Sequence, residues 1–171
     1  MSEKELRTML DYASGFAEGR FAEFGAIKPI WYAVTLSGDS IITPPLAGAQ
    51  DKDESIAMIR ELFESRDVVR YLFIDEAWTL DTPVERAELG RIEREGLRNH
   101  PARVEVVMFT GEDYEAGLIL AQRRIFRPQG GKAYLGPLSM QGELPAMAGG
   151  ERTVEITGGM VGLLPNWGRA R

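Results

Sequence analysis

Charged side chains interrupt three otherwise apolar segments in the middle of the chain, and they are the first candidates for chemistry. The segments read VVRYLFIDEAWTLD, RVEVVMFTG and GLILAQRRIFR, and their composition is typical of strands near the centre of a sheet. Glu76, Glu105 and Arg123 lie inside these segments. Because a buried charge needs a partner or water, these three residues are the candidate catalytic residues of the chain.

The alternation of side chains along a strand groups these residues further. Glu76 shares a face with Trp78, and Glu105 shares a face with Arg123. A carboxylate beside an aromatic wall is partly desolvated, which suits a general acid or base. If the hairpin turn is centred on Tyr114, Glu105 lies opposite Arg123 and forms a cross-strand ion pair with it. Pairing of the first two strands would then bring both glutamates and the arginine together, either as a substrate site or as a structural ion-pair network.

Candidates for ligand binding lie close to the same segments. They are Trp78, His100 and Arg103. His100 is the only histidine, so the chain has neither a histidine-based metal cluster nor an H-E-x-x-H motif. No G-x-S-x-G motif is present, which excludes a serine nucleophile of that type.

Metal and phosphate sites find little support in the sequence. Asp75, Glu76 and Glu105 could provide oxygen ligands for Mg²⁺ or Mn²⁺, but their spacing does not require a metal. The sequence therefore predicts no metal site and no cofactor. The glycine clusters near residues 111, 130 and 158 lack the residues of a phosphate-binding loop, and we interpret them as turns.

Composition limits the class of protein. The chain has 171 residues, 44% of them apolar and 27% charged, which favours a single domain over residues 1–171 with its own core. The absence of cysteine excludes disulfides and thiolate chemistry. A net charge of −6 makes a broad nucleic-acid interface unexpected, unless Arg123, Arg124, Arg127 and Lys132 form one basic stripe. With no signal-peptide pattern and no long apolar run, we expect a soluble, cytoplasmic protein without a membrane partner.

Hydrophobic periodicity predicts an α+β fold, with a mainly antiparallel sheet of about five or six strands and two packed helices. The helices are predicted over residues 3–24 and 53–65, with Asp53 or Ser55 capping the second. The strands are predicted over residues 30–36, 41–43, 68–81, 103–110, 118–127 and 133–140. We interpret residues 82–99 as a charged surface insertion, partly helical and interrupted at Gly90 and Gly96.

The C-terminal part of the chain has a different character. From about residue 142 it is rich in glycine, and we expect irregular structure with one short strand over residues 153–157. Leu163, Leu164 and Trp167 form a short apolar tail that either docks on its own domain, which we favour, or on another copy of the chain.

The strand segments and the residues between them resemble a pattern in small uncharacterised bacterial proteins. The resemblance covers about residues 71–137 and runs through FIDEAW, HPARVEVV and GLILAQRRIFRP. The residues that carry it are Glu76, Trp78, His100, Pro101, Arg103, Glu105, Gln122 and Arg123. No activity is known for that group, so the resemblance supports the strand predictions and implies no function.

Two functions follow from these observations as hypotheses. The first is a binding or assembly module, with a homodimer as one form of it. The alternative is an enzyme that uses Glu76, Glu105 and Arg123 on a small polar substrate or a divalent cation. A pocket that contains all three residues would favour the enzyme, and a sheet on which they pair with one another would favour the module.

Overall fold

A computed structural model describes residues 2–45, 48, 51–80, 86–144 and 162–165 of the chain. Its elements are α1 (Ser2–Phe24), β1 (Ile30–Thr35), β2 (Ser40–Thr43), α2 (Lys52–Ser65), β3 (Val68–Leu80), α3 (Arg86–Glu95), β4 (Arg103–Asp113), β5 (Gly117–Phe126) and β6 (Tyr134–Leu144). Within the described residues the strands form one six-stranded antiparallel sheet in the order β2-β1-β3-β4-β5-β6. The predicted α+β class is confirmed. No helix in the described ranges is long and apolar enough to cross a membrane.

Helix α1 covers one face of the sheet. Its apolar residues recur every three or four positions, and the buried ones are Leu6, Met9, Leu10, Ala13, Ala17 and Phe21. They pack against one side of β3, β4 and β5, where the buried residues include Leu72, Val107 and Ala121. The helix ends at Phe24, as predicted, and the following Gly25 has a φ of 70° and donates its N–H to the Phe21 carbonyl.

Helix α2 and residues 162–165 pack on the opposite face. Ile59 and Phe63 of α2 pack with Trp31, Tyr71 and Phe73 in a second core. The predicted caps at residues 53 and 55 are wrong. Asp51 caps α2 instead, because its carboxylate accepts the N–H of Glu54 at 2.9 Å.

Residues 162–165 belong to this second core. Leu163 is 1% exposed and packs in the cluster around α2, while Leu164 is half-buried against it. The Glu112 carboxylate accepts the N–H groups of Gly162 and Leu163 and the hydroxyl of Tyr71. Burial and this carboxylate raise the pKa of Tyr71 well above its ordinary value. Docking on the chain's own fold is therefore confirmed for the two leucines, whereas Trp167 and the strand predicted at 153–157 lie outside the described residues.

Helix α3 and strand β6 differ from their predicted bounds. Helix α3 runs through Gly90 and ends before Gly96, which has a φ of 71°, so only the second predicted interruption exists. Strand β6 continues to Leu144, three residues into the part predicted to be irregular, because Leu144 still pairs with Leu118 of β5.

The register of the β4–β5 hairpin differs from the predicted one by two residues. Thr110 lies opposite Leu120, and Asp113 opposite Gly117. The turn closes late because the Asp113 carboxylate accepts the N–H groups of Glu115 and Ala116, each at 2.8 Å. A shift of two residues leaves every side chain on its predicted face but changes its partner across the strands.

Candidate functional site at the open end of the sheet

Five charged or aromatic side chains meet on the α1 face of the sheet, beyond the C-terminal end of α1. We call this region the Trp78 surface, and it consists of Glu76, Trp78, Arg103, Glu105 and Arg127. Strand pairing brings them together, because Trp78 lies opposite Glu105 and Arg103 lies opposite Leu80 at the end of β3. Arg127 follows β5 and reaches the same face. The predicted neighbourhood of Glu76, Glu105 and Trp78 is thus present.

Glu105 pairs with Arg127 and not with Arg123. The Arg127 guanidinium binds the carboxylate in a bidentate manner, with Nε–Oε2 at 2.8 Å and Nη2–Oε1 at 2.7 Å. This hydrogen bonding raises the pKa of Arg127 above its ordinary value. The predicted Glu105–Arg123 pair is wrong because the shifted hairpin sets Val107, and not Glu105, opposite Arg123.

Glu76 holds the connection between α1 and β1. Its Oε1 atom accepts the N–H of Ile27 at 2.7 Å, and its Oε2 atom lies 4.0 Å from Nη2 of Arg127. Arg127 also donates to the Gly25 carbonyl at 3.4 Å and lies over the ring of Phe21. Glu76, Glu105 and Arg127 therefore form a network that fastens the end of α1 and the following loop to the sheet.

Arg123 lies elsewhere, buried beneath α1 with 7% of its surface exposed. Its Nε atom donates to the Gly136 carbonyl at 2.6 Å, and Nη1 donates to Glu18 at 3.0 Å and to Ser14 Oγ at 3.3 Å. The guanidinium lowers the pKa of Glu18, chiefly through this hydrogen bond. Arg123 thus joins α1 to β6 and does not reach the Trp78 surface. The predicted convergence of all three candidates is only partly correct, since the two glutamates meet at Arg127.

Trp78 and Arg103 form the exposed part of the surface. The Trp78 ring is 42% exposed, and the central carbon of the Arg103 guanidinium lies 4.8 Å from the ring centroid. This is a cation–π contact between the guanidinium and the face of the ring. Within the described ranges, no carboxylate pairs with Arg103.

His100 lies in the turn between α3 and β4, where its carbonyl accepts the N–H of Arg103 at 3.2 Å. Its Nε2 atom is 2.8 Å from Oε1 of Glu88, and its Nδ1 atom accepts the N–H of Ala102 at 3.1 Å. These bonds assign the neutral ring a proton on Nε2, so that Glu88 is the acceptor. The bond from His100 holds the pKa of Glu88 below its ordinary value. A cavity of about 190 Å³ adjoins the ring, lined by Arg91, Ile92, Glu95, Gly96, Asn99, His100 and Pro101. One ring nitrogen of His100 bonds to Glu88 of α3 and the other to the backbone of Ala102, so the side chain connects α3 to the turn.

Asp75 is on the opposite face of the sheet from Glu76 and Glu105. Asp75, Glu76 and Glu105 therefore cannot bind one metal ion together, because neighbouring residues of a strand point in opposite directions. Burial raises the pKa of Asp75 to about 6, while its Oδ1 atom accepts the N–H of Glu76. Across the described ranges, no three His, Asp or Glu side chains are grouped closely enough to hold a metal ion.

The predicted basic stripe does not form, because Arg123 is buried and Arg124 lies on the other face. Arg127 was predicted to belong to that stripe, but in the structure it pairs with Glu105. A signal for it existed: the alternation that puts Arg123 and Ile125 on the α1 face continues to residue 127.

The chain was also compared with known proteins. No protein-family model, no curated protein and no solved structure matches it. The proposals below therefore rest on the chain's own residues.

Proposed function

We propose that the chain is a non-catalytic binding module and that the Trp78 surface is where its partner docks. The observation that carries this proposal is the exposed Trp78 ring with the Arg103 guanidinium stacked on it at 4.8 Å. Tryptophan and arginine are the residue types that most often dominate the energy of binding interfaces. A contact between the two side chains before binding lowers the side-chain entropy that they lose when a partner binds.

The neighbouring groups support a binding role over a catalytic one. Both oxygens of Glu105 accept hydrogen bonds from Arg127, and Glu76 accepts a backbone N–H. A general acid or base must reach a substrate proton within hydrogen-bond distance. Carboxylates that already bind the fold's own donors are suited to keeping the surface rigid.

The edges of the sheet favour docking through side chains. Strand β2, at one edge, has four residues and is followed by Pro44 and Pro45. Strand β6, at the other edge, contains Pro137 and two shifts of register against β5. Short strands, prolines and bulges discourage the addition of a further strand. The binding surface we propose uses the Trp78 side chain and not the edge backbone.

A ligand screen read by thermal shift and by backbone amide NMR tests this function. The protein is screened against peptides, small carboxylates, nucleotides and divalent metals, since a ligand that binds only the folded state raises the melting temperature. We expect ligands to perturb amides near Trp78 and to lose their effect in Trp78→Ala. Tyr114→Ala is the matched control, because Tyr114 is 43% exposed and lies in the β4–β5 turn. Ligands that act equally on both variants would contradict the proposal.

The competing function is an enzyme that uses Glu76, Glu105 and Arg123 on a small polar substrate or a divalent cation. The observation in its favour is that two of these residues, Glu76 and Glu105, meet at one arginine, Arg127, beside an exposed aromatic ring. Glu105→Gln in the same screen separates the two functions. A metal or small acid that stabilises the wild type and not Glu105→Gln would favour the enzyme. A lower melting temperature in Glu105→Gln, without loss of any ligand, would assign Glu105 a structural role.

Self-association is a further form that the module could take, and it stays a prediction. Light scattering over a range of protein concentrations measures it directly. A doubled mass that disappears in Trp78→Ala would make a second copy of the chain the partner of the Trp78 surface.

A further inference from the structure

Resting on the binding function proposed above, we infer that the partner of the Trp78 surface is an acidic peptide segment that also carries aromatic or large apolar side chains. Two arginine–aromatic stacks at this end of the molecule point to that chemistry. In each, an arginine that pairs with no described carboxylate lies over an exposed aromatic ring.

The first stack is Arg103 on Trp78, at the end of β3 and β4. The guanidinium has five N–H donors and forms no ion pair with a described carboxylate. A carboxylate approaching in the guanidinium plane can therefore accept two parallel hydrogen bonds. The exposed edge of the Trp78 ring is available for an apolar side chain of the same partner.

The second stack is Arg20 on Phe24, in the last turns of α1. The guanidinium carbon lies 4.4 Å from the ring centroid, and Phe24 is 57% exposed. Like Arg103, Arg20 forms no ion pair with a described carboxylate. Without a partner, an exposed phenylalanine at the end of a helix is unfavourably hydrated.

The Glu105–Arg127 ion pair connects the two stacks. Glu105 lies opposite Trp78 in the sheet, and Arg127 donates to the carbonyl of Gly25, one residue after Phe24. Each stack is therefore adjacent to one member of this ion pair, Trp78 to Glu105 and Phe24 to the carbonyl that Arg127 binds. A short extended peptide could contact both stacks at once, with acidic residues directed to the arginines and apolar ones to the rings.

The charges at this end fit an anionic partner. Arg20, Lys28 and Arg103 are exposed and pair with no described carboxylate, whereas Glu76 and Glu105 are already occupied. Glu23 is the exposed carboxylate of the same helix end. The chain as a whole has a charge of −6, which repels an extended polyphosphate more than a short acidic peptide. We therefore favour a peptide over a nucleic acid.

Fluorescence anisotropy with four labelled probes tests the inference. The probes are a hexapeptide of sequence EFDEFD, its basic counterpart KFKKFK, the apolar-depleted EADEAD, and oligodeoxythymidine. We expect EFDEFD to bind best and to bind more weakly as salt rises from about 50 to about 200 mM. Trp78→Ala and Arg103→Gln should each weaken its binding at least about tenfold, as at an interface hot spot.

Two control variants make the outcome specific. Arg98→Gln removes one exposed positive charge outside the Trp78 surface, and Tyr114→Ala removes an exposed ring; both should leave the affinity within about twofold. Equal weakening by Arg98→Gln would overturn the inference, because binding would then follow net charge alone. Trp78-dependent binding of KFKKFK or oligodeoxythymidine would overturn the acidic partner but leave the binding function standing. Binding of EFDEFD that ignores both Trp78→Ala and Arg103→Gln would contradict the surface itself.

Discussion

Single arginines fasten α1 to the sheet at three points along the helix. Arg70 links Glu5 at the start to Asp113 of β4, with distances of 2.7 and 2.9 Å. Arg123 binds the middle of the helix, and Arg127 binds the carbonyl of Gly25 just past its end. Arginine suits this task because one planar group can donate to several acceptors on different elements.

Arg123 is the most buried of these three arginines, so its removal should have the largest effect on stability. Arg123→Met leaves the Gly136 carbonyl without its 2.6 Å donor, and we expect the free energy of unfolding to fall by about 2–4 kcal/mol. Glu18→Gln, which alters only the exposed end of the network, should change it much less. Urea unfolding of both variants measures the difference. Equal stability of the two would mean that the guanidinium is not a structural contact.

Asp75 should make stability depend on pH. Burial raises its pKa from 3.8 in the unfolded chain to about 6 in the fold, so the native state holds the proton more tightly. The free energy of unfolding should therefore fall as pH rises from about 4 to about 6. Asp75→Asn should flatten this part of the profile and add about 1 kcal/mol at pH 7.5, a discounted value because the carboxyl is partly solvated. A profile with the same slope in the variant would contradict this assignment.

At the scale of elements, α1 contains two glycines that the fold does not require. Gly15 and Gly19 are exposed in the middle of the helix, have no positive φ, and an added Cβ would meet no atom within 4 Å at either position. Glycine inside a helix costs about 1 kcal/mol relative to alanine. The helix forms despite them because its buried stripe packs on the sheet, which outweighs local propensity.

Replacing these glycines should therefore stabilise the protein. Gly15→Ala and Gly19→Ala should each add about 1 kcal/mol and raise the melting temperature by about 2–4 °C. Gly111→Ala is the contrasting variant, because its Cβ would lie 2.5 Å from Leu72 and 2.6 Å from Ile119. It should lose about 1–3 kcal/mol. Thermal unfolding of the three variants checks both signs, and a lower melting temperature for Gly15→Ala would reveal a close contact at that position.

The whole molecule depends on two cores, one on each face of the sheet. The α1 core is built from residues before position 140, while the α2 core includes Leu163. The Glu112 carboxylate holds the backbone of this segment through two N–H groups. Residues 162–165 are therefore part of the packed fold.

Truncating this leucine should show its contribution. Leu163→Ala removes a side chain that is 1% exposed, and we expect a loss of about 2–4 kcal/mol in the free energy of unfolding. Leu164→Ala, at a half-buried position, should lose distinctly less. Denaturant titration of both variants gives the comparison. A Leu163→Ala protein as stable as the wild type would mean that the segment is not docked in solution.

Local periodicity alone determined much of this protein. The stripe in α1, the strands and the face of each charged residue follow from repeats of 3.6 and 2 residues, which depend only on neighbours in the chain. For this reason Glu76 could be assigned to the face of Trp78, and Glu105 to the face of Arg123, before the pairing of the strands was known. The absence of cysteine chemistry also follows from the sequence alone. The exposure of Trp78 does not, because it depends on what packs nearby.

Only the tertiary structure decided which residues meet. The two-residue shift in the hairpin depends on two hydrogen bonds to Asp113, and it exchanges the expected partner of Glu105 for Arg127. Arg123 does not pair with Glu105, because Glu18 of α1 and Gly136 of β6, each more than ten residues distant in sequence, accept its hydrogen bonds. Each of these pairings is one of several possible long-range contacts of similar energy, and no local pattern in the chain determines which of them forms.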